Sequence, residues 1–182
     1  MADPLVKTQH TNPIDLHSEV QPSPSWIRVV ESESISVGIA DGAIATGGQL
    51  RTSGLGSCVA IVLYEEDASI ASLIHPMLPT PEHPQPDEPG RYVTTALDAQ
   101  LAALEAVAVD TAKLKAGVIG GAQMLDFSSS PTSIGDRNIS IADQWLESAA
   151  IPITTRDVGG NTGRSVIYDI DNNELDIRHA GT

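Results

Sequence analysis

A single cysteine, a single phenylalanine and three lysines are all that 182 residues carry of those types. One thiol forms no internal disulfide and supplies no cysteine cluster, so neither a disulfide scaffold nor a structural zinc module fits the chain. Aromatic residues are 3% of the total against 41% hydrophobic, so the core must be aliphatic. Ten basic residues face 24 acidic ones, a formal net charge of -14. That field repels phosphate backbones and anionic headgroups, which argues against nucleic acid and membrane surfaces as partners. No apolar run is long enough to span a bilayer and no charged-then-apolar leader is present, so the expected location is the cytoplasm. A carboxylate-dense, lysine-poor surface is tolerable where salt screens its self-repulsion, which points to a halophilic source.

The length suits one domain. Residues 1–25, rich in Pro, Ser, His and charge without an apolar period, read as a flexible tail, and 26–182 as the folded domain. His10 and His17 fall in that tail with nothing beside them to complete a metal site. Four prolines and a glycine make residues 80–90 an exposed loop carrying His83, and His179 reads as a surface residue.

Between these segments, the apolar period changes several times. Residues 35–41, 58–64 and 69–75 are short, branched and bounded by turn formers, as strands are. Val93, Leu97, Leu101, Leu104 and Ala108 share one helical face, and Ile141, Trp145 and Ala149 align on a second helix. A strand before the paired glycines Gly120 and Gly121, and later strands near 151–157, 164–170 and 174–178, complete the pattern. The fold class expected is α+β, a layered sandwich-like single domain with a mixed, largely antiparallel sheet and two main helices.

The acidic stretch at 65–67 has no apolar face and marks a hairpin turn between residues 58–64 and 69–75. Centred between Glu66 and Asp67, that turn places Cys58 directly opposite His75, on one face of an antiparallel pair. A thiol needs a base or a cation beside it to become a thiolate at neutral pH, and imidazole supplies both. Thr52 is a candidate to hold the ring in one tautomer, and Gly54 and Gly56 allow a tight approach ahead of Ser57 and Cys58. Spacing alone leaves both readings of Cys58 open: a small buried hydrophobe, or a nucleophile.

Five blocks in order, "TSGLGSCVAIVLY", "HPMLP", "GGAQM", "IGDRNI" and "DVGGNTGRSVIYDI", resemble the chemoreceptor glutamine deamidase family CheD over about residues 35–178. The resemblance implies a catalytic triad falling on Cys58, His75 and Thr52, acting on receptor glutamines through a cysteine thioester with no metal or organic cofactor. Ser53 stands where the family usually has leucine. Receptor cytoplasmic helices are the implied substrate, and a CheC-type CheY-phosphate phosphatase an implied partner. With the acidic composition, the implied source is a halophilic archaeon. Gly54, Gly56, Ser57, Gly120 and Gly121 are candidates for the substrate approach and for oxyanion support, while Asn138 and Arg164 read as structural: a cap or backbone partner, and a neutraliser of local acid. Two other functions compete, a non-catalytic adaptor binding the phosphatase and receptors, and a papain-like hydrolase of peptide bonds.

Overall fold

The computed structural model describes residues 25–31, 33–123 and 132–181. The expected tail, with His10 and His17, lies outside the described residues up to residue 24. Ten strands and two helices follow in the order β1 (Ile27–Val30), β2 (Glu33–Ser36), β3 (Gly42–Ala45), β4 (Gly48–Leu55), β5 (Val59–Glu65), β6 (Ile70–Ile74), α1 (Val93–Ala106), β7 (Lys115–Gly120), α2 (Ile134–Ser148), β8 (Ile153–Val158), β9 (Arg164–Asp169) and β10 (Glu174–His179). They form two mixed sheets, β1-β3-β6-β5-β7-β8 and β10-β9-β4-β2. The α+β class expected from the sequence holds, with the strands divided between two sheets.

Three layers result, because the six-stranded sheet is covered on both faces. Val59, Ile61 and Leu63 of β5 pack with Leu97 and Leu104 of α1 and with Ala142 and Leu146 of α2. Ala60, Val62 and Tyr64, the alternate residues, pack with Leu50, Val166 and Tyr168 of the four-stranded sheet. Covering both faces explains why all seven β5 positions are buried and why residues 59–64 form a continuous apolar run instead of an alternating one.

Alternation along β6 gives the site its geometry. Ile70 and Ile74 point to the helices, Ala71 and Leu73 to the second sheet, and the next residue on the second-sheet side is His75.

Several expectations need correction. The strand expected at 35–41 ends at Ser36. Beyond it Asp41 donates its N–H to Gly38 O at 3.2 Å, and Ala40 takes a positive φ of 63°, so residues 38–41 make a turn. The hairpin turn is centred one residue later than expected, since Glu65 pairs with Ile70 and a four-residue loop ends at Ser69, whose φ is 49°. Glu65 stays in the strand because its carboxylate is buried at the core edge, accepting the Asp110 N–H at 3.3 Å and lying 3.8 Å from Lys113 Nζ. The register is therefore Ile61 opposite Ile74, and its extension puts Ala60, not Cys58, across from His75. The displacement is two residues, so Cys58 keeps the face expected of it.

On α2, the buried stripe is Gly135, Asn138, Ile139, Ala142 and Leu146, while Ile141, Trp145 and Ala149 flank it, partly buried. On α1, Val93, Leu97 and Leu104 are buried as expected, but Ala108 lies past the helix end with a φ of 61°. A capping box starts α2: Ser133 Oγ accepts the Asp136 N–H at 3.0 Å, and the Asp136 carboxylate accepts the Ser133 N–H at 3.2 Å.

Candidate active site

Thr52 lies on β4, whose alternation buries Leu50 and Thr52 and exposes Arg51 and Ser53. Its hydroxyl is 2.7 Å from Val37 O and 2.8 Å from His75 Nδ1. Counting protons decides the tautomer. A carbonyl can only accept, so the single hydroxyl hydrogen goes to Val37, and the oxygen must accept from Nδ1–H. The lone pair of the neutral imidazole then sits on Nε2. That nitrogen is buried and has no hydrogen-bond partner.

His75 is fixed through its backbone as well. Its N–H donates to Asp41 O at 3.1 Å, and its carbonyl accepts from Ala40 N at 2.9 Å, so the 38–41 turn grips the residue from both sides. Burial pushes the ring's pKa down from 6.5 to about 4, which leaves it neutral at pH 7.

Cys58 sits just before β5, half-buried against the second-sheet side of the core. On the extended register it is the diagonal neighbour of His75, a relation in which long side chains still reach one another. Burial raises the thiol's pKa, and its own backbone N–H opposes the rise. The resting pair is thus a neutral thiol and a neutral imidazole. No hydrogen bond joins Sγ to Nε2, and such contacts often tighten only when substrate is bound.

The glycines divide by role. Gly54 takes φ of 75° in open space, so it permits the irregularity in β4 between Thr52 and Leu55. Gly120, at φ of 112°, passes so close to Cys58 that an added Cβ would stand 2.4 Å from the Cys58 carbonyl oxygen. Gly121 donates its N–H to that same carbonyl at 2.8 Å, so this amide is already engaged. Gly56 N–H is engaged too, with Gly54 O at 3.0 Å, and Gly56 O accepts from Ala122 N at 2.7 Å. Ser57 is exposed at the tip of this loop.

Residues expected to be structural have defined partners. Arg164 binds Asp157 through Nε at 2.9 Å and the Gly159 and Thr162 carbonyls through Nη1 at 2.8 and 2.9 Å. The 159–163 loop so held lies against the glycine pair, with Gly159 N–H on Gly120 O at 2.9 Å. His179, expected to be a plain surface residue, has its Nε2 2.7 Å from the other oxygen of Asp157. His83 stays exposed, as expected.

Sequence reasoning missed Val37 and gave Asn138 only as a cap or backbone partner near the helix start. Val37 acts through its carbonyl, which no side-chain pattern announces. Asn138 is fully buried and donates from Nδ2 to Ser57 O at 2.9 Å and to Met77 O at 3.0 Å. An amide on the buried stripe of an otherwise apolar helix face was the available signal.

A family described as "CheD chemotactic sensory transduction" matches residues 77–179. The chain belongs to the CheD family. That match includes Gly120, Gly121 and Asn138 and begins two residues after His75. A CheD relative named "Probable chemoreceptor glutamine deamidase CheD", from Natronomonas pharaonis, is 39% identical over 147 residues, 80% of this chain and 88% of the relative. Proteins named "Chemoreceptor glutamine deamidase CheD" from Halalkalibacterium halodurans and Bacillus licheniformis are each 39% identical, over 152 and 159 residues. These cover 81% and 84% of this chain and 94% and 95% of the relatives. Similarities this long in a chain of 182 residues take in the segment from Thr52 to Asn138.

Proposed function

We propose that this CheD protein hydrolyses side-chain amides of glutamines on chemoreceptors, with Cys58 as nucleophile, His75 as proton carrier and Thr52 holding the ring. The observation that carries the reading is the Thr52 to His75 hydrogen bond. It puts the unprotonated nitrogen at Nε2, on the face that His75 shares with the chain's one thiol. The substrate comes from the relatives' names.

The chemistry follows from those two groups. As Sγ bonds to the carboxamide carbon, the thiol proton passes to Nε2 and the carbonyl oxygen becomes an oxyanion. The Cys58 backbone N–H, beside the sulfur, is a donor for that oxyanion. The C–N bond then breaks, the imidazolium returns its proton to nitrogen, and ammonia leaves a thioester. Water attacks the thioester while Nε2 takes its proton. The C–S bond breaks, the thiol is restored, and glutamate remains.

Within this proposal the catalytic domain begins at residue 26, the protein works in the cytoplasm, and a CheC-type phosphatase is a partner. A halophilic archaeal source is supported by the net charge of -14 and by archaeal relatives from Natronomonas pharaonis and Haloarcula marismortui.

The test is mass spectrometry of a receptor cytoplasmic domain with wild-type protein and with Cys58→Ser. Each converted amide adds about 1 Da and releases one ammonia. The wild type is expected to convert specific glutamines without cutting the chain, and Cys58→Ser to fall at least about 1000-fold, since a hydroxyl is far less acidic than a thiol. Unimpaired conversion by Cys58→Ser rules out the nucleophile, and chain cleavage by the wild type favours a peptidase.

A further inference from the structure

The β5–β6 ladder reaches its last rung beside the site, with Val59 opposite Pro76 on the register of Ile61 and Ile74. His75, one residue inside that rung, turns its backbone groups to Ala40 and Asp41, and Cys58, one residue beyond it, turns its carbonyl to Gly121. Among the described residues, two links still tie these segments together, the Val59 N–H to Pro76 O at 3.2 Å and the carboxamide of Asn138.

We propose that Asn138 is a positioning residue for the deamidation reaction: its Nδ2 clamps the carbonyl just before Cys58 to the carbonyl two residues after His75, and so sets the reach between thiol and imidazole. The inference rests on the function proposed above. Both Nδ2 hydrogens are used, one on Ser57 O and one on Met77 O. Rotating the amide would set its oxygen against two carbonyl oxygens, so the orientation is determined. Oδ1 is left buried without a partner, an arrangement that packing alone does not favour over an apolar side chain. Residues of other shape cannot substitute: aspartate lacks the donors, alanine lacks the reach, and glutamine is a methylene too long. Gly135 supplies the fit. A Cβ there would stand 2.3 Å from Gly121 O, so its absence seats the first turn of α2 against the glycine that holds Cys58.

The experiment compares Asn138→Ala and Asn138→Ser with Leu146→Ala, which removes buried packing from the same helix far from either carbonyl. Three quantities are read for each: thermal midpoint, kcat and KM on a receptor fragment, and the iodoacetamide alkylation rate of Cys58. The part of that rate owed to the imidazole is the difference between wild type and His75→Ala. Asn138→Ala is expected to lower kcat about 100-fold with KM within about twofold, and to lose most of the His75-dependent alkylation. Asn138→Ser, whose hydroxyl reaches no further than the amide carbon, is expected to lose kcat and His75-dependent alkylation as Asn138→Ala does, and Leu146→Ala to keep both despite a lower midpoint. A fully active Asn138→Ala overturns the clamp while leaving the deamidase reading intact, as does a Leu146→Ala that loses kcat equally. Should Asn138→Ala not fold, Asn138→Ser decides by the same criterion. A wild type with neither deamidation nor His75-dependent alkylation removes the deamidase reading and the clamp with it.

Discussion

Thr52 Oγ1 and His75 Nδ1 are 2.8 Å apart across the boundary between the two sheets, and the hydroxyl's own proton is committed to Val37 O. Thr52→Val keeps the shape and removes the acceptor, leaving a buried N–H unpaired and the tautomer free. Deamidation is expected to fall about 10- to 100-fold, and Thr52→Ser to recover most of it. Nitrogen-15 imidazole spectra should show the proton on Nδ1 in the wild type and a mixture in Thr52→Val. Wild-type kcat in Thr52→Val would sink this assignment.

Acid should destabilise the fold through His75. Its folded pKa is about 4 and its unfolded value about 6.5, so between these the unfolded chain binds more protons and stability falls as pH falls. Stability from this source is complete above about pH 6.5 and lost down to about pH 4, a loss on the order of 3 kcal/mol. Urea melts of wild type and His75→Gln at several pH values measure it. The wild type should lose stability more steeply through that window, and parallel curves would refute the buried neutral imidazole.

Gly120→Ala tests the close approach at Cys58. An added Cβ meets the Cys58 carbonyl oxygen at 2.4 Å, and φ of 112° is strained for any L side chain. We expect a loss of roughly 2–4 kcal/mol in stability and a larger fractional loss of turnover than of receptor binding. Gly54→Ala, in open space, carries the strain without the clash. Equal midpoints for the two variants would show that contact with Cys58 is unimportant.

Salt should stabilise the protein. Carboxylate repulsion reaches about 10 Å at 0.1 M ionic strength and about 3 Å at 1 M. The melting temperature is expected to climb with potassium chloride to molar concentrations. A flat or falling curve would remove the halophilic reading and leave the chemistry unaffected.

Much of this was readable in the sequence where neighbours in the chain decide the outcome. Both helices, β5, β6, β7 and the three last strands follow from apolar period and turn residues. β1 and β3 are only four residues long, and β4, "GQLRTSGL", carries too few apolar side chains to show a period. The hairpin was placed one residue early because Glu65 counts as a turn former in sequence, yet in the fold it is a buried strand end held by Asp110 and Lys113. Its loop still has an even number of residues, so Cys58 and His75 kept a common face although their direct opposition was lost. Asn138 reads from the sequence as a local cap or backbone partner because its actual partners are 81 and 61 residues away in the chain. Contacts at that range leave no local pattern.

The order in which the site's parts occur along the chain has a consequence during synthesis. Thr52, Cys58 and His75 all leave the ribosome before Gly121, which holds the Cys58 carbonyl, and before Asn138, which ties the two segments together. A nascent chain thus carries its thiol and imidazole for tens of residues without the parts that fix their separation. Reactivity arrives with α2. Pulse alkylation of stalled nascent chains should find an ordinary thiol at Cys58 until that helix has emerged.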